Sequence, residues 1–328
     1  MLAYALILMI AAAQTDQTVE VRRGTRLEVH QFAGDVVVKV WNRDAVRVEA
    51  EHTDRQSVDI RPGDQSLVVR GRTQSGPSRS MDFTITVPAW MAVTIEGTAA
   101  DVSLEGVGGD VTVETNRGDI RVRGGSGFIS LKSVQGSIHL EQAKGRVDVQ
   151  TVNDSIQIAD VSGDVTAGTT NGSIVLERID TSNLDAYTVN GTISFDGAIK
   201  DKGSYRVTTH NGEVSMALPE KVNATLRVRT YGGSFRSSFP VKLEDPDRRN
   251  RFTLTLGDGS ARVELESFNG GIALRRPNEP RPLTGRERRD RDRQRQNGQP
   301  PPPAPPAPPS AAPAPAPAPN PNPNPGLQ

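Results

Sequence analysis

Residues 100–180 read ADVSLEGVG GDVTVETNR GDIRVRGGS GFISLKSVQ GSIHLEQAK GRVDVQTVN DSIQIADVS GDVTAGTTN GSIVLERID, nine consecutive nonapeptides with no gap. Position 1 is Gly in seven of the nine. Position 3 is Val or Ile in all nine, and position 5 is Leu, Val, Ile or Ala in all nine. Apolar residues two apart at a fixed period describe short strands stacked in a coil, not a mixed globular domain.

The true period is twice nine. A corner of the form Thr/Ser-x-Asn-like-Gly-like begins at Thr115, Ser133, Thr151 and Thr169, each two nonapeptides after the last. It returns at Thr188, Thr209 and Thr230 with slightly wider gaps, and again at Ser267. A nine-residue ring has at most ~30 Å of contour at ~3.3 Å per residue, too little to enclose two inward positions. The expected coil therefore has about 18 residues, with two strands and one special corner.

Residues one coil apart should sit ~4.8 Å apart on one face. Position 3 then stacks Val102, Ile120, Ile138, Ile156 and Ile174 on one wall, and Val111, Ile129, Val147 and Val165 on the other. Position 5 adds Leu104, Val122, Leu140, Ile158 and Leu176. Each such side chain contributes ~1.5–3 kcal/mol on burial, so these columns are where the stability should come from. Outward, the same register stacks Glu105, Arg123 and Glu141, places Glu114 over Lys132, and Arg146 over Asp164. Opposite charges in a column are what cross-strand pairing prefers.

On either side the pattern changes. Residues 14–96 alternate apolar and polar over short runs such as DVVVKVW and MDFTITV, bounded by Gly, Pro, Asn and Asp turns. They read as an N-terminal β-strand region leading into repeats at 97–276. Residues 236–251 hold Pro240, Pro246 and a charge cluster, and read as a loop inserted into the repeats. From 277 to 328 an Arg-rich run passes into Pro/Ala and Asn-Pro sequence with no core pattern, the composition of a disordered tail. The expected class is all-β: a parallel β-solenoid or β-helix between a strand region and that tail.

Composition narrows the function. The 328 residues carry 39 basic and 39 acidic side chains, so overall charge gives no attraction to nucleic acid. Without cysteine there is no disulfide, thiolate metal site, cysteine nucleophile or lipid-anchor cysteine. Residues 2–10 are an apolar run followed by Ala11, Ala12 and Ala13, which reads as a signal peptide over residues 1–13. No later stretch approaches the ~20 apolar residues of a membrane-spanning helix. Export to the periplasm or cell surface of a bacterium is the expectation.

The T-x-N-G-x-I-x-L coils resemble the bacterial putative-adhesin family of exported β-solenoid domains. AGDVVVKVWNRDAVRVEAE at residues 33–51 resembles its opening strand pair, and LGDGSARVELESFNGGIAL at residues 256–274 its closing coils. The resemblance spans residues 19–276 and implies a surface role without identifying a ligand.

Each candidate site has a structural reading beside the functional one. Asn153, Asn171, Asn190 and Asn223 each begin an N-x-Ser/Thr glycan-acceptor pattern. Their fixed spacing favours a repeated corner in which Asn and Gly tolerate positive φ and stacked Asn amides bond one another. In the AYTVNGTISF copy, Thr188 and Asn190 should fasten the corner, Gly191 make the bend, and Ile193 and Phe195 face the core. A nonapeptide calcium roll needs Asp at position 6, where this chain has Glu105, Arg123, Lys132, Ala159 and Gly168. Asp101, Asp110, Asp119 and Asp164 at position 2 read as solvated corners. His30, His52, His139 and His210 form no metal-ligand spacing. No catalytic, cofactor or metal residue is assigned, and no cofactor is expected.

The leading expectation is a non-enzymatic cell-envelope scaffold or adhesin whose partner is an envelope glycan or protein. A self-polymerising envelope scaffold and a polysaccharide-acting β-helix enzyme are the alternatives.

Overall fold

The computed structural model describes residues 13–74, 80–240, 251–277, 279–283 and 285–296. The expected signal peptide lies outside the described residues except for Ala13. So do residues 241–250 of the expected loop and 297–328 of the expected tail.

The described chain is all-β, parallel-rich and solenoid-like. Strands Val111–Arg117, Ser126–Gln135, Lys144–Gln150 and Val165–Thr169 stack in parallel as one wall. Ile120–Arg123, Ile138–Glu141, Ile156–Ala159 and the start of Ile174–Asn190 stack as the other. Ile129 lies between Val111 and Val147, and Ile138 between Ile120 and Ile156. All fourteen side chains of the inward columns are at most 3 % exposed, and they belong to one continuous core running from Leu27 to Leu274. Phe195 and Ile193 are fully buried, as the alternation requires.

Later coils absorb extra residues at the corner opposite the T-x-N-G turn. Pairing between Ile174–Asn190 and Ile193–Asn211 shifts register at Glu177/Ile179 and at Thr181/Asn183. Gln142, Asp160 and Arg178 hold left-handed backbone at this corner, with φ of 53–56°.

Both ends depart from sequence order. At the start, Arg26–Trp41 lies between Val93–Glu105 on one side and Ser66–Thr73 with Asp82–Pro88 on the other. At the finish, Thr209 pairs with Ser267 and not with Thr230. Ala261–Ser267 lies between Ile193–Asn211 and Ala224–Thr230. The corners recur along the chain as Thr209, Thr230 and Ser267, but they stack in the order Thr209, Ser267, Thr230.

The outward charges give a physical reason. Glu264 sits between Arg206 at 3.6 Å and Arg227 at 3.5 Å, and Arg229 reaches Glu266 at 3.9 Å. Stacking in sequence order would set Arg227 directly against Arg206, a like-charge pair. Antiparallel strands finish both walls at one end, Gln56–Pro62 on one and Ala45–His52 with Ala13–Glu20 on the other; at the far end Arg251–Leu256 finishes one wall, and the short parallel strand Phe235–Ser237 ends the other. The antiparallel strands blunt edges that would otherwise be open to further parallel strands.

The expected outward pairs form unevenly. Lys132 meets Glu114 at 2.9 Å and Arg123 meets Glu105 at 3.8 Å. Asp164 accepts a hydrogen bond from the Asn183 amide at 2.9 Å instead of pairing with Arg146.

The tail expected to be disordered from residue 277 carries structure at its start. Residues 276–277 and 279–283 run back along the outer side of one wall, where Arg281 reaches Glu177 at 3.3 Å. Gly285–Gln296 (GRERRDRDRQRQ) is an α-helix. Arg, Glu and Gln are strong helix formers, and Glu287 lies in the first turn, where the helix dipole favours an anion. The composition lacks an apolar face, so periodicity does not reveal it; propensity suffices. No helix among the described residues is long and apolar enough to cross a membrane.

Candidate functional site

The repeated corner is a set of three parallel columns. The first is buried hydroxyls. Thr188 Oγ1 donates to the Gly172 carbonyl at 2.9 Å, Thr209 to Gly191 at 3.0 Å, Ser267 to Gly212 at 2.9 Å and Thr230 to Gly270 at 3.0 Å. Ser133, Thr151 and Thr169 bond the preceding coil in the same way. All seven are at most 5 % exposed, so each buried hydroxyl has its hydrogen bond met by a carbonyl of the neighbouring coil.

The second column is amides. Asn171 Nδ2 donates to Asn153 Oδ1 at 3.0 Å, and Asn190 to Asn171 at 2.8 Å. Asn211 donates to Asn190 at 2.8 Å and Asn269 to Asn211 at 3.0 Å. The nitrogen that a glycan would modify on Asn171 and Asn190 is therefore engaged in the ladder. Asn190→Val should cost about 1–2 kcal/mol, since it severs two of these links. Thr192→Val, which removes the acceptor pattern alone, should stay within about 0.5 kcal/mol. Urea melts of the two variants check the contrast; the reverse order would restore the glycan-acceptor reading.

The glycine of this corner was expected to supply positive φ. Gly118 in the first corner does so, with φ of 125°, but Gly172, Gly191, Gly212 and Gly270 do not occupy the left-handed region. A Cβ on Gly191 would instead fall on the Gly172 carbonyl oxygen, and one on Gly212 on the Gly191 oxygen. Glycine is needed because adjacent coils touch backbone to backbone here.

The third column is the spacer between Thr/Ser and Asn, and it faces solvent. Five of the eight large apolar side chains exposed among the described residues are such spacers: Val134, Val152, Val189, Phe268 and Tyr231; Phe32, between Gln31 and Ala33, stands at the same level because Gln31 pairs with Gly97 and Gly97 with Thr115. At one end the column becomes aromatic. His210 stacks on Phe268 at 4.7 Å and 7°, Tyr231 follows at 5.0 Å, and Arg251 lies 6.0 Å from the Tyr231 ring. At ~4.8 Å per coil the ridge is roughly 40 Å long. Its apolar character escapes a reading by period, because a single Val or Phe between Thr and Asn carries no period of its own. Aligning the corners on one another would have shown it.

The carboxylates and histidines have local duties. Asp101 Oδ1 accepts the Asp119 amide at 2.7 Å, Asp110 the Phe128 amide at 2.8 Å, and Asp119 both the amide and the hydroxyl of Ser137 at 2.9 Å. These aspartates staple one coil to the next from the surface: Asp101 and Asp110 are exposed, as a solvated corner should be, and Asp119 is half-buried. Burial works against the charge of Asp119, but the Ser137 amide and hydroxyl and the Arg121 guanidinium outweigh it and hold the carboxyl below its ordinary 3.8. A depressed folded value means that ionised Asp119 stabilises the fold above its ordinary pKa, and the contribution is lost as pH falls through the folded value. Asp119→Asn should therefore flatten the acid side of the stability curve below about pH 4, measured by urea melts across pH. His30 pairs with Glu96 at 3.0 Å, and His52 bonds Thr15 at 2.8 Å. His139 is pushed below its ordinary value by burial and by Arg121.

The corner can thus present carbon and amide surface along a straight edge, and it places no acid–base pair there among the described residues. The family described as Toastrack DUF4097 matches residues 24–275. No curated protein matches the chain. Among solved structures, a putative cell adhesion protein from Clostridium sporogenes ATCC 15579 is 11 % identical, covering 81 % of this chain and 99 % of that chain, with a TM-score of 0.23. A putative adhesin from Bacteroides fragilis NCTC 9343 is 14 % identical over 80 % of this chain and 97 % of its own, with a TM-score of 0.29. A putative adhesin from Parabacteroides merdae ATCC 43184 is 11 % identical over 80 % and 96 %, with a TM-score of 0.41. The family match takes in the opening strand pair, the T-x-N-G coils and the closing coils, and the chain belongs to the Toastrack DUF4097 family.

Proposed function

We propose that this chain is a non-enzymatic scaffold exported to the bacterial cell envelope. It is a β-solenoid with two short strands and one T-x-N-G corner per coil, and it adheres to its partner along the edge those corners form. The observation that carries the reading is the gathering of six exposed large apolar side chains into one column beside an amide ladder. Exposed apolar surface gathered in one place marks interaction sites, whereas scattered residues do not. The signal-like start supports export. The partner class is an envelope glycan or protein. The antiparallel strands that close both walls at one end and one wall at the other weigh against growth into filaments, and the carboxylates of Asp101 and Asp119 beside the corner are engaged by the next coil, which favours a structural role over glycan cleavage.

The test is retention of the purified chain on isolated bacterial envelope fragments. Val134→Ser, Val152→Ser and Val189→Ser combined should lower retention at least about tenfold, with little change in melting temperature. Equal retention by this variant would reject the edge, and turnover of an envelope glycan by the unmodified chain would reject the non-enzymatic reading.

A further inference from the structure

A second feature lies on the outer side of the wall that ends in Val214–Ala217, Ile272–Arg275 and Phe235–Ser237, where residues 279–283 pass back over the sheet. Between this strap and the strands Val214–Ala217, Phe235–Ser237 and Ile272–Arg275 is a cleft of about 410 Å3 lined by Ser215, Arg236, Arg275, Pro280 and Pro282 among others. Ser215 points away from the core, between inward Val214 and Met216, yet it is only 1 % exposed. Among the described residues its hydroxyl has no hydrogen-bond partner, and neither does Nε of Arg275, which is 6 % exposed. Two polar groups this deeply buried are normally paired, and leaving them unpaired costs more than a typical hydrogen bond contributes.

The chemistry of the missing partner follows from its surroundings. Arg275 Nε can only donate, and Ser215 is free to donate, so both are served by an acceptor oxygen. The cations lining the cleft already have counter-ions: Glu213 for Arg236 at 2.8 Å, Asp196 for Arg275 at 3.4 Å, and Glu177 for Arg281 at 3.3 Å. Glu279, also at the cleft, is held below its ordinary value by the Ser238 hydroxyl and the Arg276 amide, and stays charged. An anion would meet these carboxylates, whereas a neutral carbonyl would not be repelled by them. Pro280 and Pro282 give that carbonyl an apolar neighbour to pack against.

We propose that this cleft binds an acetamido group, with the carbonyl oxygen accepting from Arg275 Nε and Ser215 Oγ and the methyl lying against the proline wall. The inference does not depend on the adhesive edge, which involves other residues on another side of the coils. An acetamido group can come from an amino sugar or from an N-acetylated peptide, and the test separates them. Saturation-transfer NMR on the full chain would use the trimer of N-acetylglucosamine, N-acetylalanine methylamide, and glucosamine as the deacetylated comparison. The acetyl methyl of the sugar trimer, of the peptide, or of both should take up the strongest saturation, and glucosamine should take up none. Saturation of the sugar alone assigns a glycan, of the peptide alone a peptide, and of both the acetamido group itself. Ser215→Ala and Arg275→Lys should each weaken binding about 5–10-fold. Ser215→Ala should also melt no lower than the unmodified chain in the absence of ligand, because it removes an unpaired hydroxyl. The proposal is overturned if neither acetyl methyl saturates, if Ser215→Ala binds as well as the unmodified chain, or if Ser215→Ala melts lower without ligand.

Discussion

Gly191→Ala is expected to destabilise the chain by about 2–4 kcal/mol, although alanine is an otherwise mild replacement. Gly191 does not hold a left-handed conformation, so backbone preference gives no warning. The cost comes from contact: a Cβ there would fall on the Gly172 carbonyl oxygen, the same oxygen that accepts the Thr188 hydroxyl. Relief requires the two coils to part, which breaks that hydroxyl bond and strains the neighbouring amide ladder. Gly24 supplies the comparison. It has φ of 94° and open space where its Cβ would lie. Gly24→Ala should cost only about 1 kcal/mol through its backbone alone. Urea melts of the two variants decide the matter: if Gly191→Ala costs no more than Gly24→Ala, backbone contact between coils is not what selects glycine at this corner.

Tyr205→Ala should cost about 3–5 kcal/mol, the range for emptying a large buried aromatic site. Tyr205 is 1 % exposed and packs edge-on to Phe195, with ring centroids 6.1 Å apart. Its hydroxyl donates to the Thr181 carbonyl at 2.7 Å and accepts from the Lys200 amide at 2.8 Å. Those two bonds pin the enlarged corner, where the coil takes in extra residues between Phe195 and Tyr205. Tyr205→Phe keeps the ring and should cost about 1–3 kcal/mol, the penalty of stranding the two backbone groups. Equal losses in the two variants, read by urea melts, would mean that the hydroxyl alone carries the effect. No loss in Tyr205→Phe would mean that the enlarged corner does not need pinning.

Tyr205 also marks a boundary of what the sequence disclosed. Phe195 and Ile193 are legible as core because strand side chains alternate with period 2, and the alternation resumes directly after the corner in VNGTISF. Tyr205 lies just after DKG, where the regular pattern is interrupted, and nothing local says that its hydroxyl closes a corner on Thr181. The candidate edge is half legible. Asn190 reads as one rung among several because the rungs recur at near-constant spacing. The exposed valines beside it are legible once the corners are aligned, but the aromatic end of the ridge emerges only when Phe268 and Tyr231 are set in their true stacking order.

The sequence by itself determined the all-β class, the two walls and the inward columns. The reason is that an offset of two nonapeptides brings like positions together, and burial of Val, Ile and Leu at positions 3 and 5 follows from that offset alone. Only the tertiary structure decided the order of the closing coils. Ala224–Thr230 and Ala261–Ser267 alternate alike, and either could stack on Ile193–Asn211 by hydrophobic pattern. What separates them is the sign of the outward charges: Glu264 fits between Arg206 and Arg227, and Arg227 does not fit against Arg206. The glycine column and the strap over Ser215 were likewise decided in three dimensions, because each depends on how closely two distant segments approach.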